Sequence, residues 1–195
     1  TAYEISTRDW SSDVCSSDLV SLDIAGAWLI TNPIYGDNRG FFREWFKQEM
    51  AERALGRKFN VAQSNISRSK KGVVRGIHYS QAPEGQAKWV TCSHGAIWDV
   101  VVDIRPNSPT FKKWIAQELR AEDGRSVLIG EGLGHAFVAL EEDSVISYLL
   151  SSPYSPNFEF AINPLDEEID IKWPIEKLFF SERDSNAPRI SELFH

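Results

Sequence analysis

The run 96–105 alternates with a period of two. Ala96, Trp98, Val100, Val102 and Ile104 fall on one side, and Ile97, Asp99, Val101, Asp103 and Arg105 on the other. Successive side chains point to opposite faces in an extended strand, so this run reads as β with one wholly apolar face. The other face is mixed, as for a face that lines a polar cavity or meets water. Comparable short runs cover 27–30, 41–46, 61–67, 73–79, 89–92, 114–119, 127–129, 135–139 and 145–150. Turn signals divide nearly all of them: Tyr35-Gly36-Asp37-Asn38-Arg39-Gly40, Lys70-Lys71-Gly72, Pro83-Glu84-Gly85, Ser93-His94-Gly95, Pro106-Asn107-Ser108-Pro109 and Asp123-Gly124. Many short strands with frequent turns predict an all-β sandwich or small barrel. One helix is expected over 47–55, with Met50 and Ala54 on its apolar side and Gly56 as its stop. Short helical turns are expected from Trp173-Pro174 to Phe180.

At 195 residues the chain suits one domain, and a domain of this size buries enough surface to fold without disulfides or metal. That domain is expected over 21–195. Residues 1–20 differ in character. The stretch Arg8-Asp9-Trp10-Ser11-Ser12-Asp13-Val14-Cys15-Ser16-Ser17-Asp18 has neither helical nor strand periodicity. It resembles a translated cloning adaptor, and 1–20 is read as a non-native or disordered extension. Cys15 and Cys92 are far apart and lack CxxC spacing, which argues against a zinc site or disulfide framework and favours a reducing, cytoplasmic setting. No apolar run approaches the roughly 20 residues of a membrane helix, and no signal peptide opens the chain. The net charge of −7 is the opposite of a nucleic-acid binder's usual balance. A small anion in one pocket remains compatible with it. Seven tryptophans and eleven phenylalanines suit an aromatic-lined β core, or a cavity that grips a planar ring.

Of four histidines, two sit in Gly-flanked, strand-like contexts: Arg75-Gly76-Ile77-His78-Tyr79 and Glu131-Gly132-Leu133-Gly134-His135-Ala136-Phe137. Two such groups suggest one cavity assembled from two distant parts of a sheet. Arg75, Lys88 and Arg39 are candidates to hold an anion, and Tyr148 and Asp184 to serve in proton transfer. A metal site is not expected. The first motif reads His78-Tyr79-Ser80, with no second histidine, and Glu84 lies in a Pro/Gly turn, so the ligands are too few. Without metal or cofactor, this set of side chains suits removal of a proton next to a carbonyl. A neutral histidine accepts the proton, and an aspartate on its other nitrogen fixes the tautomer. A lysine stabilises the enolate, and a tyrosine returns a proton from the opposite face. His94 and His195 read as ordinary surface residues, and Arg68, Lys70 and Lys71 as a solvated basic turn. Asp99 and Asp103 either orient pocket residues or face water.

Seven segments resemble, in order and spacing, the dTDP-4-dehydrorhamnose 3,5-epimerase family. They are Gly36-Asp37-Asn38-Arg39-Gly40-Phe41-Phe42-Arg43-Glu44, Gln63-Ser64-Asn65, Val74-Arg75-Gly76-Ile77-His78-Tyr79, Asp99-Val100-Val101-Val102-Asp103-Ile104-Arg105, Ser108-Pro109-Thr110-Phe111, Glu131-Gly132-Leu133-Gly134-His135-Ala136-Phe137 and Ser181-Glu182-Arg183-Asp184. The resemblance runs from about residue 22 to about 193. It implies a cupin-like double-stranded β-helix (jelly roll) with a few short helices, a homodimer, and cofactor-independent, metal-free epimerisation of dTDP-4-keto-6-deoxy-D-glucose at C3 and C5. It implies His78 as general base, Asp184 as its partner, Tyr148 as proton donor and Lys88 beside the C4 oxygen. His135 would help to bind the sugar. Arg39, Glu44, Gln63, Asn65, Arg75, Glu159 and Arg183 fall where the family contacts nucleotide or phosphates. Tyr154 falls where a ring stacks on thymine, with Phe42 beside it. The family often has Lys where Arg183 stands, and an acidic residue where Ser64 stands. The competing readings are an epimerase acting at C3 or C5 alone, a metal-dependent cupin isomerase or oxygenase, and a non-catalytic sugar-nucleotide binding module.

Overall fold

A computed structural model describes residues 17–193. Two antiparallel sheets face each other. The first carries β1 (Asp18–Ser21), β2 (Ala27–Thr31), β10 (Arg125–Ile129), β7 (Lys88–His94), β12 (Ser144–Leu150) and β5 (Gln63–Ser69), in that spatial order. The second runs β13 (Glu159–Ala161), β6 (Val74–Ser80), β11 (Leu133–Ala139), β8 (Ala96–Asp103) and β9 (Trp114–Arg120). A separate hairpin joins β3 (Ile34–Asp37) to β4 (Gly40–Arg43). Helix α1 spans Gln48–Leu55, and short helices α2 (Glu182–Ser185) and α3 (Ile190–Leu193) lie near the C-terminus. This is the expected cupin-like jelly roll. No helix among the described residues is long and apolar enough to cross a membrane.

Alternation along the strands sorts side chains into three cores. Between the sheets lie Val90, Cys92, Val127 and Ile146 from one, with Ile97, Val101, Leu119 and Phe137 from the other. On the outer side of the second sheet, Ile77, Tyr79, Val100, Val102 and Ala136 pack against Ile162, Ile169, Ile171 and Ile190 of the C-terminal segment. On the outer side of the first, Trp89, Leu128 and Leu149 pack against Met50, Ala51 and Phe59. The apolar face of β8 therefore meets the C-terminal segment, and its mixed face looks between the sheets. Asp99 and Asp103 are both buried there.

Asp103 ties down the loop after β8. Its carboxylate accepts from the Arg105 backbone N–H (3.1 Å), Nε (2.8 Å) and Nη2 (2.7 Å), and from Ser108 Oγ (2.5 Å) and Thr110 Oγ1 (2.6 Å). Burial would raise its pKa, but these donors together hold it far below the usual carboxylate range.

Several local expectations change. The strand expected over 41–46 ends at Arg43, because Trp45 and Phe46 both turn into the outer core with Trp89. The Trp89 indole N–H donates to the Trp45 carbonyl at 2.9 Å, and Phe46 meets the Trp89 ring edge-on at 5.2 Å. The stretch 173–180 is not helical. Its Phe179 instead forms a parallel bridge to Val73, and Pro174 disfavours helix for the residue before it. Tyr35-Gly36-Asp37, read as turn, forms the β3 arm of the hairpin. Strand β1 begins at Asp18, so paired backbone reaches back across the boundary drawn at residue 20. The rest of that N-terminal extension, residues 1–16, lies outside the described residues, as does His195.

Gly76 lets β6 approach β11 closely. Its φ is +122°, and a Cβ there would sit 2.5 Å from Ala136 Cβ and 2.6 Å from the His135 carbonyl oxygen. Gly76→Ala is expected to lower the unfolding free energy by about 2 kcal/mol through overpacking; a loss under about 0.5 kcal/mol in urea denaturation would contradict this contact. Asp103→Ala, which removes the buried carboxylate that gathers Arg105, Ser108 and Thr110, is expected to cost about 3 kcal/mol by the same measurement.

Candidate active site

The strand β6 sends Ile77 and Tyr79 to the outer core and His78 inward. In the antiparallel register His78 stands opposite His135 of β11. Each imidazole has its own carboxylate. His78 Nε2 lies 2.7 Å from Asp184 Oδ1, and His135 Nε2 lies 2.6 Å and 3.0 Å from the two oxygens of Asp99. Both carboxylates are buried. Asp184 arrives from α2, whose N-cap Ser181 Oγ accepts the Asp184 backbone N–H at 3.1 Å. Burial raises the Asp184 pKa. Hydrogen bonds from His78, Ser181 and the Gly76 backbone N–H outweigh it and keep the group below the usual carboxylate range. Asp184 is thus a carboxylate at neutral pH, able to hold the histidine's N–H.

Lys88, at the start of β7, shares the cleft. Burial pulls its ammonium pKa down, and the negative charges of Glu159 and Asp99 oppose that pull. Tyr148 comes from β12, directly across from Asn65 on β5. Burial, the largest effect, pushes the phenol pKa up against a smaller opposing effect of the neighbouring Asn65 amide, so Tyr148 keeps its proton at neutral pH. Gln63 Nε2 donates to Asn65 Oδ1 at 2.9 Å, and Gln63 Oε1 accepts the Tyr154 backbone N–H at 2.8 Å. Gln86 Nε2 donates to Glu159 at 3.1 Å, and Arg183 Nη2 to the Glu159 carbonyl at 3.3 Å.

One cleft is lined by His78, Lys88, Tyr148, Gln63, Asn65, Tyr154, Glu159 and Arg183, all candidates from sequence, together with Gln86 and Leu150. Asp184 and His135 stand immediately behind it through His78. Arg75 lies at the edge, its guanidinium donating to Ser69 Oγ and the Arg68 carbonyl, close enough to bear on the Tyr148 hydroxyl electrostatically. Arg39, Phe42 and Glu44 do not line this cleft. Arg39 pairs with Asp37, Phe42 stacks on Tyr35, and Glu44 pairs with Lys47. Sequence reasoning missed Gln86, which sits in an aperiodic loop without any motif signal. It left Asp99 undecided, although the alternation of β8 places Asp99 on the inward face that His135 also occupies. Among the described residues, no group of three or more His, Cys, Asp or Glu side chains is arranged to hold a metal ion.

The cleft thus brings His78, held by Asp184, from the second sheet together with the Lys88 side chain and the protonated Tyr148 phenol from the first, with the Asp99-held His135 behind. That inventory suits moving protons at carbons beside a carbonyl whose oxygen gathers negative charge. The family model described as dTDP-4-dehydrorhamnose 3,5-epimerase matches residues 21–192. The chain is 49% identical over 172 residues to the dTDP-4-dehydrorhamnose 3,5-epimerase of Mycolicibacterium smegmatis, covering 88% of this chain and 85% of that protein. It superposes with a TM-score of 0.88 on NovW, a 4-keto-6-deoxy sugar epimerase of Streptomyces spheroides, at 42% identity, over 91% of this chain and 89% of that one. It also superposes on ChmJ, a 3′-monoepimerase of Streptomyces bikiniensis in complex with dTDP-quinovose. That match has a TM-score of 0.84 at 44% identity and covers 88% of this chain and 87% of that one. With the acid–base cleft and the jelly roll that carries it, these matches show that the chain belongs to the dTDP-4-dehydrorhamnose 3,5-epimerase family.

Proposed function

We propose that this chain inverts C3 and C5 of dTDP-4-keto-6-deoxy-D-glucose, using His78 as base. The observation that carries this reading is the 2.7 Å bond between His78 Nε2 and Asp184, in a cleft that also presents Lys88 and Tyr148. Asp184 occupies one ring nitrogen, which leaves Nδ1 to take the proton from the carbon beside the C4 ketone. The proton leaves carbon as the C–H electrons move toward the C4 oxygen, where the Lys88 ammonium stabilises the enolate. Tyr148 gives its proton to the opposite face of C5 and recovers one from solvent. His135, held by Asp99, helps to seat the sugar. Gln63, Asn65, Arg75, Glu159 and Arg183 hold the nucleotide and diphosphate, and Tyr154 stacks on the thymine.

The same reading includes a homodimer. Phe41, Phe42 and Tyr35 expose much of their rings on the β3–β4 hairpin, and Arg39, Phe42 and Glu44 lie off the cleft of their own chain. In a dimer the hairpin would bring these three residues to the cleft of the second copy. A cytoplasmic site of action fits the free, buried thiol of Cys92. The likeness to ChmJ, a 3′-monoepimerase, supports a second reading in which C3 alone is inverted.

Proton NMR of the reaction in heavy water separates these readings. Deuterium at both C3 and C5 is expected; deuterium at C3 alone selects the second. Activity that EDTA abolishes would overturn both in favour of a metal-dependent cupin. Tight dTDP binding without exchange would leave only a binding module. His78→Ala is expected to bind dTDP as well as the unaltered chain does while losing exchange, and a variant that kept full exchange would remove His78 as base. Asp184→Asn, similar in shape but without the charge, is expected to lower kcat roughly 10²-fold or more.

A further inference from the structure

The carboxamides of Gln63 and Asn65 form a chain of hydrogen bonds whose direction is set at one end. The Tyr154 backbone N–H can only donate, and it donates to Gln63 Oε1 at 2.8 Å. Gln63 must therefore turn its NH2 outward, and that group donates to Asn65 Oδ1 at 2.9 Å. With its oxygen engaged, Asn65 has only its NH2 to offer the neighbouring Tyr148 hydroxyl. The contact is built into the sheet. Asn65 and Tyr148 are direct cross-strand partners, and Gln63, two residues along β5, shares the same inward face opposite Leu150. Toward the Asn65 NH2 the Tyr148 oxygen can act only as acceptor, so its phenolic proton is not spent on Asn65. That proton is free to point into the cleft beside His78 and Lys88.

We infer that Asn65 is a positioning residue for the proton donor: a Tyr154–Gln63–Asn65 relay of fixed polarity keeps the Tyr148 hydroxyl hydrogen directed at substrate. Had the relay run the other way, Asn65 Oδ1 would accept the phenolic proton and Tyr148 would present only lone pairs. The inference rests on the reading of Tyr148 as acid, and the test keeps the two apart.

Once His78 holds the abstracted proton, exchange with heavy water and return to the same face yield deuterium without inversion. Delivery by Tyr148 yields inversion. The ratio of inverted product to deuterium incorporated therefore reports on the donor alone, and weaker substrate binding lowers both quantities together. The ratio is read at C5, or at C3 if the unaltered enzyme inverts C3 only, with dTDP-4-keto-6-deoxy-D-glucose as substrate. Asn65→Asp keeps the shape but replaces the NH2 with an acceptor for the phenolic proton. Gln63→Glu accepts from both Tyr154 and Asn65, forcing the Asn65 amide to turn its oxygen to Tyr148. In each the ratio is expected to fall about tenfold or more, as in Tyr148→Phe, however far weaker binding lowers exchange and inversion together. An unchanged ratio in Gln63→Glu, with Tyr148→Phe lowered, overturns the relay and leaves the acid in place. An unchanged ratio in Tyr148→Phe overturns the acid and the relay together. Gln63→Glu decides if Asn65→Asp fails to fold or disagrees, because it leaves Asn65 and Tyr148 themselves intact.

Discussion

The hydrogen bond between His78 and Asp184 joins two parts of the chain separated by 106 residues. Its existence requires most of the molecule. His78 must face inward from β6, which the alternation of Ile77, His78 and Tyr79 accomplishes. Asp184 must arrive from a C-terminal segment that first crosses the outer face of the second sheet. Ile162, Ile169, Ile171 and Ile190 pin that segment down, and Ser181 caps the turn that presents the carboxylate. The apolar face of β8 is the floor on which the segment lies. A feature that looks purely structural, a strand apolar on one side, thus helps to hold the partner of the proposed base.

Charge balance in the cleft follows from the same burial. Burial takes from Lys88 part of its preference for the ammonium form, and Glu159 and Asp99 restore some of it. Asp99 serves twice, fixing the His135 ring and lending negative potential to Lys88. The phenol of Tyr148 goes the other way, with burial holding it protonated. A base, a cation and an acid with separate environments can therefore coexist in one cleft without neutralising one another.

Much of this was legible in local sequence. The period-two pattern at 96–105, the helical spacing that ends at Gly56, and the glycine-flanked histidines each depend on neighbours a few residues away, and each appears where expected. The exceptions depend on distant partners. Trp45 and Phe46 left the strand pattern because Trp89 waits in the outer core. The stretch 173–180 formed a bridge to Val73 because β6 had an edge to offer. Asp99 could not be assigned without knowing that His135 would lie on the neighbouring strand. Arg39, Phe42 and Glu44 matched their motif well, yet they lie off this cleft, because a motif does not say where in space its residues gather.

The arrangement of protons on the His78 ring is the most direct check on this chemistry. Nitrogen-15 NMR of the histidine side chains, assigned by comparison with His78→Ala, distinguishes the two tautomers of the unprotonated ring. With Asp184 holding Nε2–H, the expected signal is that of a bare Nδ1 lone pair, available to take hydrogen from carbon. A ring with its hydrogen on Nδ1 and its lone pair toward the carboxylate would contradict the assignment of His78 as the base.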